Sequence, residues 1–578
     1  MRPSLRPAVV SRTRDALALV TVALAAAACA TSAPPERAPG RPPRAAAGSA
    51  LPEPAEILLT GGPVLGTNGV TGLALRGGRI AAVGDAASLA RFRGPRTRTI
   101  DLAGRSVAVA LTDAHAHLVE LGLQLAQVDL RGCPSADECA AKVGAHRGSR
   151  GGWVLGAGWD QNRFPDQSLP HRRALDAAVP DRPAWLQRVD GHAGWANSTA
   201  LKAAGVTRAT PDPPGGRIVR DAKGEPTGVL VDAATALVER AVPPADEAAR
   251  EQAIERAQAL ALSKGLTEVH EMGADAAMVA TFRRLEREGR LKLRVLAYAS
   301  GGSEAERASL FARRPDPPRP GAMFRLGGIK IYADGALGSH GAALLAPYAD
   351  EPELRGLVIT DASALEDAAR RALASGWQLA VHAIGDRANR SALDAFERAG
   401  CRRERDVRFR IEHAQIVDPA DVPRFAALGV LASMQPTHAT SDMPWAQTRL
   451  GPARLAGAYA WRALLAGGAR LPAGSDAPVE AIDPAFGLYA FVTRQDHHGR
   501  PPGGWLPGQR LRLDEAVRAF TEEAAFAAFE DRWRGRAAAG MAADVTIFDR
   551  RLDESDPASI RDARVALTIV GGAVTFEP

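Results

Sequence analysis

The sequence predicts an α/β protein: a (β/α)8 TIM barrel, a flanking small β-sandwich built from both chain ends, and an insertion after the first barrel strand. Three observations predict it. The centre of the chain alternates short strand-like runs with Ala-rich amphipathic stretches at 244–264, 362–375 and 386–399, a βαβα rhythm that argues for a parallel sheet or barrel. Strand-like runs separated by Gly-rich turns cluster at the two ends, at 56–60, 72–76 and 79–84 and again at 543–549 and 565–576, as if both ends met in one small sandwich. Six polar residues, His115, His117, Lys330, His382, His413 and Asp476, each stand where an apolar run gives way to a polar loop.

The spacing of those six tests the barrel. One βα unit takes about 30 residues, and active-site residues sit at the C-terminal strand ends. His382 to His413 is 31 positions, one unit; Lys330 to His382 is 52, one unit with a loop insertion; His413 to Asp476 is 63, two units. His117 to Lys330 is 213, three units and a further hundred or so residues of insertion. The six therefore fall on strands one, four, five, six and eight. The apolar run 106–111 precedes His115, and 326–330, 377–382 and 407–413 end on Lys330, His382 and His413. The expected organisation is a sandwich from 55–106 and 540–578, and a barrel over 107–539 with an insertion at about 120–265.

A chain of 578 residues with 46% hydrophobic and 24% charged residues has the composition of an ordinary globular protein. Its formal charge of +6 is partly due to the extreme N-terminus, where four arginines stand against Asp15 within residues 1–28; removing that segment leaves +3. No basic stripe interleaved with aromatics is present, which speaks against a nucleic-acid partner. Arg12 and Arg14 precede an apolar stretch, 16–28, that is short for a membrane span, which needs roughly 20 residues. The stretch ends in four alanines and Cys29, and a Pro/Ala/Arg-rich segment follows to 54. This pattern is similar to a bacterial lipoprotein signal, with 1–29 as signal, Cys29 as the lipidated residue and 30–54 as a flexible tether. Cleavage by ordinary signal peptidase is the other reading. Either way the expectation is export, to the periplasm or the cell surface, with membrane attachment through a lipid anchor in the first case. Cys133 and Cys139 could pair in an oxidising compartment, or stay with Cys401 as plain small residues.

The chemistry rests on the six. Residues two apart on a strand face the same side, so His115 and His117 can aim both rings at one cation. His-x-His alone is a weak signal; Asp113-Ala-His-Ala-His117 after an apolar run is stronger. With His382, His413 and the carboxylate of Asp476 the set suits Zn2+ or a similar divalent metal, one ion or two, and leaves room for water. Such an ion lowers the pKa of its water to about 7, giving a hydroxide that attacks at neutral pH. Asp476 is the expected proton carrier from that water to a leaving amine. An ammonium is repelled by a dication, so Lys330 ligates only as a carbamate formed with CO2; otherwise it orients substrate. His192, Trp159 and His438 are candidate substrate contacts. Against these, His192 could equally satisfy a loop, and the Trp153/Trp159 pair could simply pack. His270 ends a strand-like run and is placed behind the site, while His146, His171, His497 and His498 are read as solvent-facing.

Laid out in order, the motifs Thr112-Asp-Ala-His-Ala-His117, Gly156-Ala-Gly-Trp-Asp-Gln-Asn162, Asp190-Gly-His-Ala-Gly-Trp-Ala-Asn-Ser198, Lys330-Ile-Tyr-Ala-Asp-Gly335, His382-Ala-Ile-Gly-Asp386, Glu412-His-Ala-Gln415, Gln435-Pro-Thr-His438 and Gly474-Ser-Asp-Ala-Pro-Val-Glu480 make the chain resemble the amidohydrolase superfamily. The resemblance is to the amidohydrolase-3 group that includes N-substituted formamide deformylases, and it spans roughly 55–578. It implies a (β/α)8 barrel, a sandwich from both termini, and metal-assisted hydrolysis of C–N bonds in a small-molecule substrate, amide-like and N-formyl or N-acyl. Two departures stand out: Val109-Ala110 occupy the place of the family's Pro-Gly, and Glu271, expected near strand three, replaces a common aspartate. Ester or lactone hydrolysis is the rival within catalysis. A degenerate barrel that only binds at the cell surface is the rival outside it, and the intact set of six argues against that.

Overall fold

Seven short, largely apolar runs form one parallel sheet whose order in space is their order in the chain. They are β1 (Thr112–Ala116), β2 (Glu268–Ala274), β3 (Arg294–Ser300), β4 (Phe324–Tyr332), β5 (Gln378–Ala383), β6 (Arg410–His413) and β7 (Leu431–Ser433). They come from a computed structural model that describes residues 53–148, 150–188, 193–213 and 216–578. An eighth position closes the ring. Arg470 and Ala473 bridge in parallel to Leu431 and Met434 on one side. On the other, Ala473 O accepts from Ala114 N at 2.9 Å and His115 O accepts from Asp476 N at 2.7 Å. Pro472 has no N–H to give, which keeps this segment from forming a regular ladder.

The helices around the barrel are set by caps and apolar faces. Asp246 accepts from Ala249 N to start Glu247–Ser263, which leads into β2. Ala362–Ser375 starts at Asp361, which accepts from Ser363 N and Ala364 N, and stops at Gly376, whose φ of 79° suits glycine. Its buried residues, Leu365, Ala368, Ala369 and Ala372, follow the three-and-four spacing of a helix facing a core. Asp386–Arg398 packs beside it, so the helices expected from the sequence at 244–264, 362–375 and 386–399 are present within a few residues.

Two four-stranded sheets lie at the chain ends. One holds Ile57–Thr60, Gly72–Arg76, Arg79–Gly84 and Arg98–Asp101; the other holds Val107–Val109, Val545–Phe548, Val565–Val570 and Ala573–Phe576. Ile57, Leu59, Leu73 and Ile80 from the first share a buried core with Val107, Val545, Ile547 and Ile569 from the second, which makes the pair a sandwich. The run expected at 565–576 is a hairpin, folded at Gly571-Gly572. The apolar run 106–111 is not the barrel strand that carries His115. Val107–Val109 pairs antiparallel with Val545–Ile547 in the sandwich, Ala110 turns the chain with a φ of 58°, and the barrel strand begins only at Thr112. Glu271 lies on the second barrel strand, in register with Ala297 of the third beside it.

Between β1 and β2 the insertion builds a six-stranded sheet from Val128–Asp129, Val154–Trp159, Ala184–Arg188, Ala193–Ala196, Gly216–Arg220 and Pro226–Asp232. Trp159 and Trp195 meet edge-on in its core, with ring centroids 6.2 Å apart. Cys133 and Cys139 are buried there as free thiols, and Cys401 is buried and free in the barrel. The expected signal segment, Cys29 and nearly all of the expected tether lie outside the described residues. Among the described residues no helix is long and apolar enough to cross a membrane.

Candidate metal centre

His115 lies in β1, and His117 follows its last residue as the N-cap of Leu118–Gln124. Their ring centroids are 5.7 Å apart. Lys330 is on β4, His382 on β5, His413 ends β6, and Asp476 follows the segment that closes the barrel. These strand ends converge. The His413 ring is 4.8 Å from that of His115 and 4.6 Å from that of His382. Asp476 Oδ1 stands 3.4 Å from His115 Nε2 and 3.2 Å from His117 Nε2. Lys330 Nζ is 3.3 Å from His115 Nε2. One donor atom each of His115, His413 and Asp476 falls within 4.8 Å of the others. His413 and Asp476 have φ of 73° and 61°, the left-handed region that His and Asp enter more readily than most residues. Turning the chain there re-aims both side chains at the strand ends.

Burial sets the charges. It lowers His115, it lowers His382 to about 3 and it lowers His413 well below the usual imidazole range, so these three rings are neutral donors at neutral pH. His117 is also pushed down by burial, but its hydrogen bond and charge contact with Asp476 outweigh this and raise it. Burial alone would raise Asp476; its contacts with the imidazoles, His115 first and then His117, hold it well below the carboxylate range instead. Burial brings Lys330 down to about 8, against the pull of Glu412 and Asp476. The residues fit a divalent ion. Neutral imidazoles surround an ionised carboxylate, and the buried His382 Nε2 has no hydrogen-bond partner.

Several residues that brace this set carried no role in the sequence reading. Asp113 accepts from His115 N at 3.1 Å, from Ser475 N at 2.9 Å and from Ser475 Oγ at 2.5 Å, tying β1 to the loop of Asp476. Gln435 Oε1 is 2.8 Å from His413 Nδ1, and Glu412 Oε2 is 2.6 Å from His115 Nδ1. Asp334 accepts from Ala343 N, Ile384 N and Gly385 N, and stands 3.6 Å from His382 Nε2. Tyr332 places its ring 5.3 Å from that of His382, at a partly open edge of the site. One signal was available: in 407–413 charged residues alternate with Phe409 and Ile411, so Arg410 and Glu412 had to share one face, which the barrel buries.

The other candidates separate. His438 is in the site, its Nε2 3.6 Å from Asp476 Oδ2 and its ring stacked on His413 at 5.7 Å. Trp159 is not a substrate contact, because its indole is wholly buried and its Nε1–H is spent on Leu186 O at 2.8 Å. His192 lies outside the described residues. His270 is buried behind the site between Glu268 and Arg410. His497 and His498 are exposed as expected, whereas His146 and His171 are half-buried, the first bonded to Ala126 O and the second capping Arg172–Ala178. A second group, His117, Glu120 and Glu271, also brings donor atoms within 4.8 Å. There Glu271 accepts from Leu118 N at 2.7 Å, and burial with Glu120 nearby pushes its carboxyl up to about 8. A cleft of about 840 Å3 flanks the loop after Asp476, lined from the insertion by Arg131, Gln187 and Arg188 and from the barrel by Lys264, Glu480 and Asp483.

A family model described as "Amidohydrolase family" matches residues 98–576. Protein LONG AFTER FAR-RED 3 of Arabidopsis thaliana is 36% identical over 540 residues, 90% of this chain and 91% of that protein. The N-substituted formamide deformylase of Arthrobacter pascens is 30% identical over 528 residues, 87% of this chain and 94% of that protein. The crystal structure of an uncharacterised metal-dependent hydrolase from Pyrococcus furiosus superposes with a TM-score of 0.72 at 30% identity, covering 87% of this chain and 99% of that one.

Proposed function

The chain belongs to the amidohydrolase family and is a metal-dependent hydrolase of the kind acting on carbon–nitrogen bonds; from that premise we propose that it cleaves an amide-like bond, N-formyl or N-acyl, of a small molecule, with Asp476 carrying the proton. The observation that carries the proposal is the convergence of His115, His117, His382, His413, Lys330 and Asp476 from separate strand ends onto one buried point. The N-formyl arm draws on the deformylase relative.

His115, His117, His382, His413 and Asp476 would hold zinc or a similar ion, one or two. Such an ion acidifies a coordinated water and polarises a carbonyl oxygen. Asp476 Oδ1 and Oδ2 face His117 and His438, so its carboxylate can take a proton on the side of the imidazoles and release it toward the leaving nitrogen. His438 and Tyr332 line the approach and orient the substrate. The insertion, with the cleft beside the Asp476 loop, selects the leaving group. Lys330 Nζ is buried, and among the described residues no carboxylate lies within ion-pair distance of it. That setting favours its carbamate, formed by addition of CO2 to the amine with release of one proton, and a carbamate there would bridge two ions. Protein loaded with 13C-bicarbonate would show a carbamate carbon resonance that is lost in Lys330→Arg.

The reaction is tested by offering zinc-loaded protein N-formyl amines, N-acyl amino acids, cyclic amides and lactones. Turnover of the first two classes is expected. Turnover of lactones alone would replace the C–N reading with an ester one, and no turnover of any class by loaded protein would remove the proposal.

A further inference from the structure

Behind His115 lies a buried charged pair that the reaction above does not use. Glu412 Oε2 is 2.6 Å from His115 Nδ1 and accepts from Arg410 Nη2 at 3.0 Å, and Glu412 Oε1 is 2.7 Å from Arg410 Nε. All three side chains are fully shielded from solvent. Arg410 is fixed in turn by four strands. It donates to Ala114 O at 2.7 Å, to Ser433 Oγ at 2.8 Å and to Tyr298 OH at 3.0 Å, and its Nη1 is 2.9 Å from His270 Nδ1. A guanidinium on both oxygens keeps the Glu412 carboxylate ionised, and an ionised carboxylate can only accept. The short contact therefore places the ring proton of His115 on Nδ1 and leaves the Nε2 lone pair facing Asp476 and Lys330.

We propose that Glu412, anchored by Arg410, is a positioning residue that fixes the tautomer and orientation of His115 and so sets the affinity of the metal centre. The inference rests on the metal reading for its affinity arm but not for the tautomer. His413 has a weaker version of the same support, since its Nδ1 meets the neutral amide oxygen of Gln435 at 2.8 Å. A charged partner on a ligating histidine raises its basicity, and removing such a partner weakens metal binding roughly 10–100-fold.

Two measurements on the full chain decide it. Zinc affinity is read by competition with a chromophoric chelator in wild type, Glu412→Asp and Glu412→Gln. Glu412→Asp keeps a charge for Arg410 while withdrawing the oxygen from His115 by one methylene. Both variants should bind zinc roughly 10–100-fold more weakly, with apo-protein unfolding midpoints close to wild type in Glu412→Asp. Affinities within about twofold of wild type in both would overturn the proposal. The second measurement needs no folded variant of Glu412: 15N spectra of histidine-labelled apo wild type, with His115 assigned through His115→Asn, should show the proton on Nδ1. A proton on Nε2 overturns the proposal whatever the variants do. If wild type binds no zinc while the Nδ1 tautomer is found, the metal reading fails and the positioning role of Glu412 stands.

Discussion

In the proposed reaction Asp476 has two jobs at one point, metal ligand and proton carrier, and its surroundings suit an aspartate to both. Its carboxylate meets His115 and His117 on one oxygen and His438 near the other, and the imidazoles keep it ionised despite burial. Asp476→Asn keeps the shape but removes the charge and the proton acceptor. It should lower kcat by roughly 10²–10⁴-fold on any substrate that wild type turns over, since this is the usual contribution of a positioned acid–base group. Steady-state kinetics of metal-loaded protein checks this, and a loss of less than about tenfold would remove Asp476 from the proton path. At this scale the sequence was legible for residues that end strands, because an isolated polar residue after an apolar run marks a site by itself. Glu412, Gln435 and Asp113 stood in quoted motifs without a role, since their partners are set by the fold: Glu412 sits next to His413 yet reaches His115, 297 positions away. Trp159 erred in the opposite direction. Its indole looked available, and the insertion core takes all of it.

Among the elements, the entry to β1 shows what a departure from the family pattern costs. Ala110 adopts a φ of 58° and is fully buried, in the place where the family has glycine. The left-handed conformation costs an alanine roughly 1–2 kcal/mol. Ala110→Gly would relieve that, but it would lose a buried methyl worth about 0.8 kcal/mol and free the unfolded chain by another 0.4–1 kcal/mol. These oppose each other, so Ala110→Gly should change stability by less than about 1 kcal/mol. Ala110→Val, with a β-branched side chain at positive φ, should destabilise by several times that. Equilibrium denaturation of both variants checks the pair; a large gain from glycine would mean the turn is a strained weak point. The same segment explains a misreading. The run 106–111 has the apolar character of a buried strand, and it is one, but its partner is the C-terminal Val545–Ile547, which nothing local reveals. The eighth barrel position was placed by spacing alone, and Pro472 explains why it is bonded at isolated points.

In the whole molecule, the barrel floor is joined to the sandwich by buried charges. Arg534 pairs with Glu268, with Glu530 at 3.1 Å and with Asp544 at 2.9 Å, and Asp544 also holds Arg294 at 2.8 Å. Burial, with Glu268 adding its charge, pushes Glu530 up to about 7 from an ordinary 4.5, so the folded protein keeps that proton at mildly acid pH. Between those two values the unfolded chain has released the proton while the folded one holds it, so this group's contribution to stability is full below 4.5 and is lost as pH rises through 7. Glu530→Gln should flatten that part of the profile, read as thermal midpoints across the window. A variant profile parallel to wild type would contradict the assignment. The βαβα rhythm and the ligand spacing made the barrel legible at this scale, and the strands at both ends made the sandwich so. The insertion sheet was legible only as length, because its strands pair with one another and its faces carry no periodic site residues.

The central claim is that the six converging residues form a divalent metal centre. Metal analysis of the purified full-length chain, stripped with chelator and reloaded with zinc, tests it most directly when run beside His382→Ala and His413→Ala. The account predicts at least one tightly held ion per wild-type chain and marked loss of it in both variants. Wild-type protein that remains folded yet retains no zinc, iron or manganese above background, or variants that bind as well as wild type, would contradict it.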